Sequence, residues 1–139
     1  MALENEIKTR LIKLARGARE WAYTPYSNYQ VGAALLTESG KIYEGVNIEN
    51  AAYPATVCAD RVAVFKAVSE GERRFTAIAI STSNGGMPCG VCRQVLAEFG
   101  LETIVLTVDD QDNISETTVG DLLPGAFTPE VLHAGQIDE

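Results

Sequence analysis

Cys58, Cys89 and Cys92 are the only cysteines in the 139 residues, and the last two form a C-x-x-C pair. Three thiolates can hold a zinc ion and leave its fourth position open, as a catalytic zinc requires. Structural zinc sites close all four positions with protein ligands. Cys89 and Cys92 are three apart, so on a helix they share one face. Pro88 stands just ahead of them, where a proline suits a first helical turn. Cys58 opens a second helical pattern, C-A-D-R-V-A-V-F-K-A-V. Thiols at helix starts feel the positive end of the helix, which lowers their pKa and favours the thiolate. Three thiolates on a divalent ion leave one negative charge in excess, and Arg61 and Arg93 beside them are candidates to offset it. By itself, C-x-x-C also fits a redox dithiol or two buried cysteines.

Five blocks narrow that choice: Y-T-P-Y-S-N-Y-Q-V-G-A-A-L, V-N-I-E-N-A-A-Y, T-V-C-A-D-R, P-C-G-V-C-R-Q-V-L and L-L-P-G-A-F. In these blocks the chain resembles the small three-cysteine cytidine deaminases, from about Tyr23 to Pro129. The resemblance implies a Zn2+ held by Cys58, Cys89 and Cys92, with Arg61 offsetting charge behind the ligands. It implies that Asn47 and Glu49 hold the ribose hydroxyls, a role suited to a carboxylate acceptor and an amide. Tyr29 stands where the family has phenylalanine along the nucleoside, and its added hydroxyl bears on sugar or base preference. Phe127 corresponds to an aromatic that enters a neighbouring subunit's site and stacks on the pyrimidine, so a homotetramer with shared sites is implied. One residue departs from the pattern. The family reads C-A-E-R, and this chain has Asp60 in place of the glutamate.

Composition sets outer bounds. The length fits one domain over residues 1–139. A net charge of −8 without a basic cluster argues against a polynucleotide partner, because phosphate binding needs a lysine and arginine footprint. A free pyrimidine nucleoside meets no such objection. The odd cysteine count disfavours a disulfide framework, the first residues lack a signal-peptide pattern, and no apolar run is long enough to span a bilayer. These readings predict a cytoplasmic protein with neither nucleic acid nor membrane as partner.

The elements that must position the cysteines follow from periodicity. Leu3, Ile7, Leu11, Leu14, Ala18 and Trp21 recur at helical spacing and predict an amphipathic first helix ending near Tyr23. Val31–Thr37 and Lys41–Ile48 read as a hairpin, with Asn47 and Glu49 on one side of the second strand's end. A helix is expected over Val57–Glu70, a strand over Phe75–Ser81 and a helix over Gly90–Phe99. Two further strands are expected over Thr103–Val108 and Ile114–Val119. Alternating strands and helices imply an α/β fold, a three-layer α/β/α domain with a mixed sheet of about five strands. An aromatic such as Phe127 in a Gly- and Pro-flanked loop otherwise serves as a tether onto its own core. His133, the only histidine, reads as a surface residue.

The implied reaction is zinc-dependent hydrolysis of cytidine or 2′-deoxycytidine to the uridine and ammonia, with Asp60 as the proton-carrying residue. Aspartate matches glutamate in intrinsic pKa, at about 3.9 against about 4.3, but is one methylene shorter. A misplacement of about 1 Å can cost roughly a hundredfold in rate, so slow turnover is expected. Two alternatives remain open on the sequence: a deaminase of N4-substituted or modified cytosine nucleosides, and a catalytically impaired nucleoside-binding variant.

Overall fold

The computed structural model describes residues 3–136. Helix α1, Asn5–Ala18, is followed by a 3-10 turn over Arg19–Trp21. Strands β1, Gly32–Thr37, and β2, Ile42–Val46, form the expected hairpin around Glu38-Ser39-Gly40. Helix α2, Ala59–Ser69, leads to β3, Phe75–Ser81; helix α3, Gly90–Ala97, leads to β4, Ile104–Val108. Strand β5, Ile114–Thr118, and the short helices α4, Val119–Leu122, and α5, Pro129–Ala134, complete the described chain.

The strands lie in the order β2-β1-β3-β4-β5. Only β3 and β4 are parallel, and α3 makes the crossover that a parallel pair needs. The sheet is therefore mixed and five-stranded, as the periodicity implied. Alternation along the strands sends side chains to two cores. Ala34, Ala77, Ala79 and Leu106 pack with Leu11, Ile12 and Ala15 of α1. Leu35, Ile78, Ile80 and Val105 pack with Ala63 and Val64 of α2 and Leu96 of α3. These are the three layers.

Helix α2 approaches the sheet unusually closely. A Cβ on Gly45 of β2 would lie 2.2 Å from the Ala59 carbonyl oxygen and 2.6 Å from the Ala63 nitrogen. Both obstacles are backbone, which cannot swing aside. Gly45→Ala is expected to destabilise the fold by at least the ~1–3 kcal/mol typical of overpacking. A lowered urea midpoint with an unchanged m-value is the expected result, and an unchanged midpoint would refute the close-approach argument.

The first helix departs from its sequence pattern at its end. Regular α geometry stops at Ala18, and the tighter 3-10 turn rotates Trp21 out of the apolar stripe, leaving it 80% exposed. Helix α2 also starts two residues later than expected, because Cys58 is its N-cap with extended backbone.

Candidate metal centre and cleft

Two helix starts and one strand end converge. Cys58 is the N-cap of α2, Cys89 the N-cap of α3, and Cys92 the third residue within α3. Neither N-cap thiol bonds its own first turn. Pro88 precedes the cap rather than standing in the first turn, and Gly90 takes that first position. The sulfurs of Cys58 and Cys89, 31 residues apart in the chain, are 3.9 Å apart, and those of Cys89 and Cys92 are 3.3 Å apart. All three lie within 4.8 Å of one another. Thiolates on one tetrahedral zinc, each at about 2.3 Å, stand roughly 3.8 Å apart. The trio fits that ion.

Electrostatics agrees. The neighbouring Cys92 thiol, helped by the Arg61 guanidinium at 3.5 Å, holds the Cys58 pKa down at about 5. The same contact with Cys58, together with burial and the charge of Asp60, pushes the Cys92 thiol up. These contacts favour the thiolate at Cys58 and the thiol at Cys92, and a divalent cation is what would stabilise a thiolate at Cys92. Arg61 stands against the Cys58 sulfur. Arg93 does not: its Nε donates to the Pro88 carbonyl at 2.7 Å and its other end to the Leu122 carbonyl at 2.9 Å. It ties the loop before α3 to α4.

Asp60, the second residue of α2, is buried. Its Oδ2 finds no hydrogen-bond partner among the described residues. Burial pushes its pKa up; the Cys92 thiol and Arg61 oppose this, and the charge on Cys58 adds to it. A buried carboxyl oxygen without a partner is costly, and such groups call for an explanation. Asp60 lines the same cleft of about 310 Å³ as all three cysteines.

Asn47, Glu49 and Tyr29 line that cleft too. Asn47 is just beyond the end of β2 and is buried rather than solvated. Its Oδ1 accepts from the Val31 amide at 2.9 Å and its Nδ2 donates to the Tyr29 carbonyl at 2.8 Å. Glu49 accepts from the amides of Tyr26, at 2.9 Å, and Ser27, at 3.1 Å, and from the Ser27 hydroxyl. That hydroxyl, then the two amides, hold its carboxyl below the usual range. Both side chains therefore organise residues 26–31, and each keeps lone pairs that these contacts do not use.

Phe127 lies outside the cleft. It is 56% exposed, and its carbonyl accepts from Gln94 Nε2 at 2.7 Å. It is not a tether onto its own core. His133 is exposed on α5 and takes no part in the thiol cluster. Sequence reasoning did not single out Ser27, Thr82 or Asn84. Asn84 sits in an Asn-Gly-Gly run that signals only a loop, and its partner is 55 residues away.

Comparison with known proteins follows this geometry. Residues 5–108 match the family described as the cytidine and deoxycytidylate deaminase zinc-binding region. A cytidine deaminase of Sporosarcina psychrophila is 54% identical over 127 residues, covering 88% of this chain and 93% of that protein. A second, from Halalkalibacterium halodurans, is 54% identical over 126 residues, covering 88% and 96%. The crystal structure of a Burkholderia pseudomallei cytidine deaminase superimposes with a TM-score of 0.84 at 44% identity, covering 90% of this chain and all of that one. The converging thiols, the mixed five-stranded sheet and these likenesses agree: the chain belongs to the cytidine and deoxycytidylate deaminase family.

Proposed function

We propose that this chain hydrolyses cytidine and 2′-deoxycytidine to the corresponding uridines and ammonia, with Asp60 limiting the rate. One observation carries the reading: three zinc-competent thiols and a buried, unpartnered carboxyl oxygen share one cleft. Cys58, Cys89 and Cys92 would hold the zinc, which supplies Lewis acidity that makes water a nucleophile near neutral pH. Arg61, against Cys58, offsets the excess negative charge of the thiolates. The Asp60 carboxyl takes a proton from the attacking water and gives it to N3 of the ring as the oxygen adds at C4. It then takes the proton of the new C4 hydroxyl and delivers it to the 4-amino group, which leaves as ammonia as the C4–N bond breaks and the C4 carbonyl forms. Proton transfer of this kind contributes about 10²–10⁴ in rate. Asn47 and Glu49 orient the sugar, and Tyr29 forms a wall of the cleft.

The partner is a free pyrimidine nucleoside. No helix among the described residues is long and apolar enough to cross a membrane. A cytoplasmic site suits the unpaired thiols of Cys58 and Cys89, which an oxidising compartment would join or oxidise. A single domain over residues 1–139 is supported by one continuous sheet.

A homotetramer with shared sites is part of the same proposal, supported by the outward, exposed ring of Phe127. Phe127→Ala is expected to raise KM for cytidine by about 5- to 150-fold, the equivalent of about 1–3 kcal/mol of base stacking. Steady-state kinetics and sedimentation test it together. An unchanged KM in an intact tetramer would remove Phe127 from the site.

Asp60 favours a second reading. The shorter side chain leaves space beside the 4-amine, which suits N4-substituted cytidines. Turnover of N4-methylcytidine faster than that of cytidine would select it. Tight binding of uridine with zero turnover of either would select the impaired, nucleoside-binding variant.

A further inference from the structure

The wall of the cleft contains a pairing that the proposed reaction does not use. Tyr29 is held at both ends. Its amide donates to Ser27 Oγ at 3.0 Å, and its carbonyl accepts from Asn47 at 2.8 Å. Its hydroxyl donates to Asn84 Oδ1 at 2.6 Å. The same Oδ1 accepts from the Gly86 amide at 3.2 Å, and that amide also reaches Thr82 Oγ1 at 3.0 Å. The ring therefore bolts the segment before β1 to the loop that continues through Met87 and Pro88 to Cys89.

Gly86 completes the device. A Cβ there would lie 2.8 Å from the Tyr29 hydroxyl oxygen. The backbone does not ask for glycine at this position: Gly85 has a positive φ of 74°, and Gly86 does not. What demands the missing side chain is the tyrosine hydroxyl. A phenylalanine at position 29 would leave both the space and the hydrogen bond empty. The two residues are complementary in size and in polarity.

We infer that Tyr29 and Gly86, braced by Asn84, form a strap along one wall of the cleft that determines specificity by barring bulk at C5 of the pyrimidine. The inference rests on the nucleoside reading above. In the productive pose C4 and N3 face the thiols and Asp60, and the sugar faces Asn47 and Glu49. The C5–C6 edge is left to the Tyr29–Gly86 wall. A ring anchored at one end can swing to admit a substituent. A ring anchored at both ends cannot do so without breaking the Asn84 bond.

The test is calorimetric binding of uridine, 5-methyluridine and 5-iodouridine, which reads the wall without requiring turnover. The unaltered chain is expected to bind 5-iodouridine at least about tenfold more weakly than uridine, within the roughly 10–200-fold that an unaccommodated group costs in a fitted pocket. Tyr29→Phe should shrink that ratio toward one. Gly86→Ala should shrink it as well, by forcing the hydroxyl off Asn84, and Tyr29→Phe/Gly86→Ala should leave it shrunk, because the Asn84 bond is absent there too. Urea denaturation of the same four proteins supplies a readout independent of ligand. Gly86→Ala should lower the midpoint more when Tyr29 is present than when phenylalanine replaces it. Uridine binding with a ratio unchanged in Tyr29→Phe overturns the strap and leaves the nucleoside reading standing. Absence of uridine binding overturns both.

Discussion

Asp60→Glu is expected to turn over cytidine about a hundredfold faster than the chain as it stands. The reason is geometric. One carboxyl must reach the water, N3 and the departing amine in succession, and a shortfall of about 1 Å costs roughly that factor. Intrinsic acidity does not distinguish the two side chains, since their reference pKa values differ by only about 0.4. Burial acts on either: the site pushes the Asp60 carboxyl up because water is excluded around it. Asp60→Asn should lose a further factor of about 10²–10⁴, because the amide cannot carry the proton. It should still bind uridine, since the groups proposed for the sugar are untouched. Ultraviolet absorbance under single-turnover conditions separates the outcomes. Equal rates for aspartate and glutamate would mean that the backbone brings Asp60 close enough by itself. Equal rates for aspartate and asparagine would remove position 60 from the proton path.

The second large effect is on the metal. Cys89→Ala is expected to reduce bound zinc, measured by atomic absorption after dialysis against a chelator, from about one per chain to a small fraction. Cys89 stands 3.9 Å from Cys58 and 3.3 Å from Cys92. Its removal leaves two thiols, and the lost affinity should exceed the roughly 10–100-fold typical of a residue behind the ligands. Arg61→Gln supplies that comparison. It removes the guanidinium beside Cys58 and should weaken zinc by about 10–100-fold while leaving it measurable. Full zinc occupancy in Cys89→Ala would sink the three-thiolate centre. Equal losses in the two variants would mean that charge compensation, and not ligation, dominates.

Much of this protein is legible in one dimension because periodicity and spacing are local. Helical recurrence marks Leu3 and Leu11, and both sit in the core under α1, whereas Leu14 of the same pattern is only partly buried. Alternation marks Ala34 and Leu35 as facing opposite ways, and they belong to the two opposite cores. Phe75–Ser81 forms a strand over its whole expected length, since a run of β-branched, aromatic and small residues fits a strand buried on both faces. Errors gather at element ends. Trp21 keeps the helical spacing but not the helical geometry, and Pro88 looks like a first-turn residue until Cys89 takes the cap.

The sequence by itself determined the residue types: three thiols, a carboxyl beside them, and five strands interspersed with helices. Only the tertiary structure decided which of them meet. Strand β3 lies between β1 and β4, out of chain order, and its end delivers Cys89 to the start of α2. That placement depends on how two cores pack against one sheet, which no local pattern records. For the same reason the arginines part company, Arg61 facing a thiol and Arg93 backbone carbonyls. Asn47 proves to be a bolt for the Tyr29 segment as well as a cleft residue. Gly86 reads as loop in the chain and as the socket for a tyrosine hydroxyl in the fold, because a missing side chain has meaning only beside the atom that occupies its place.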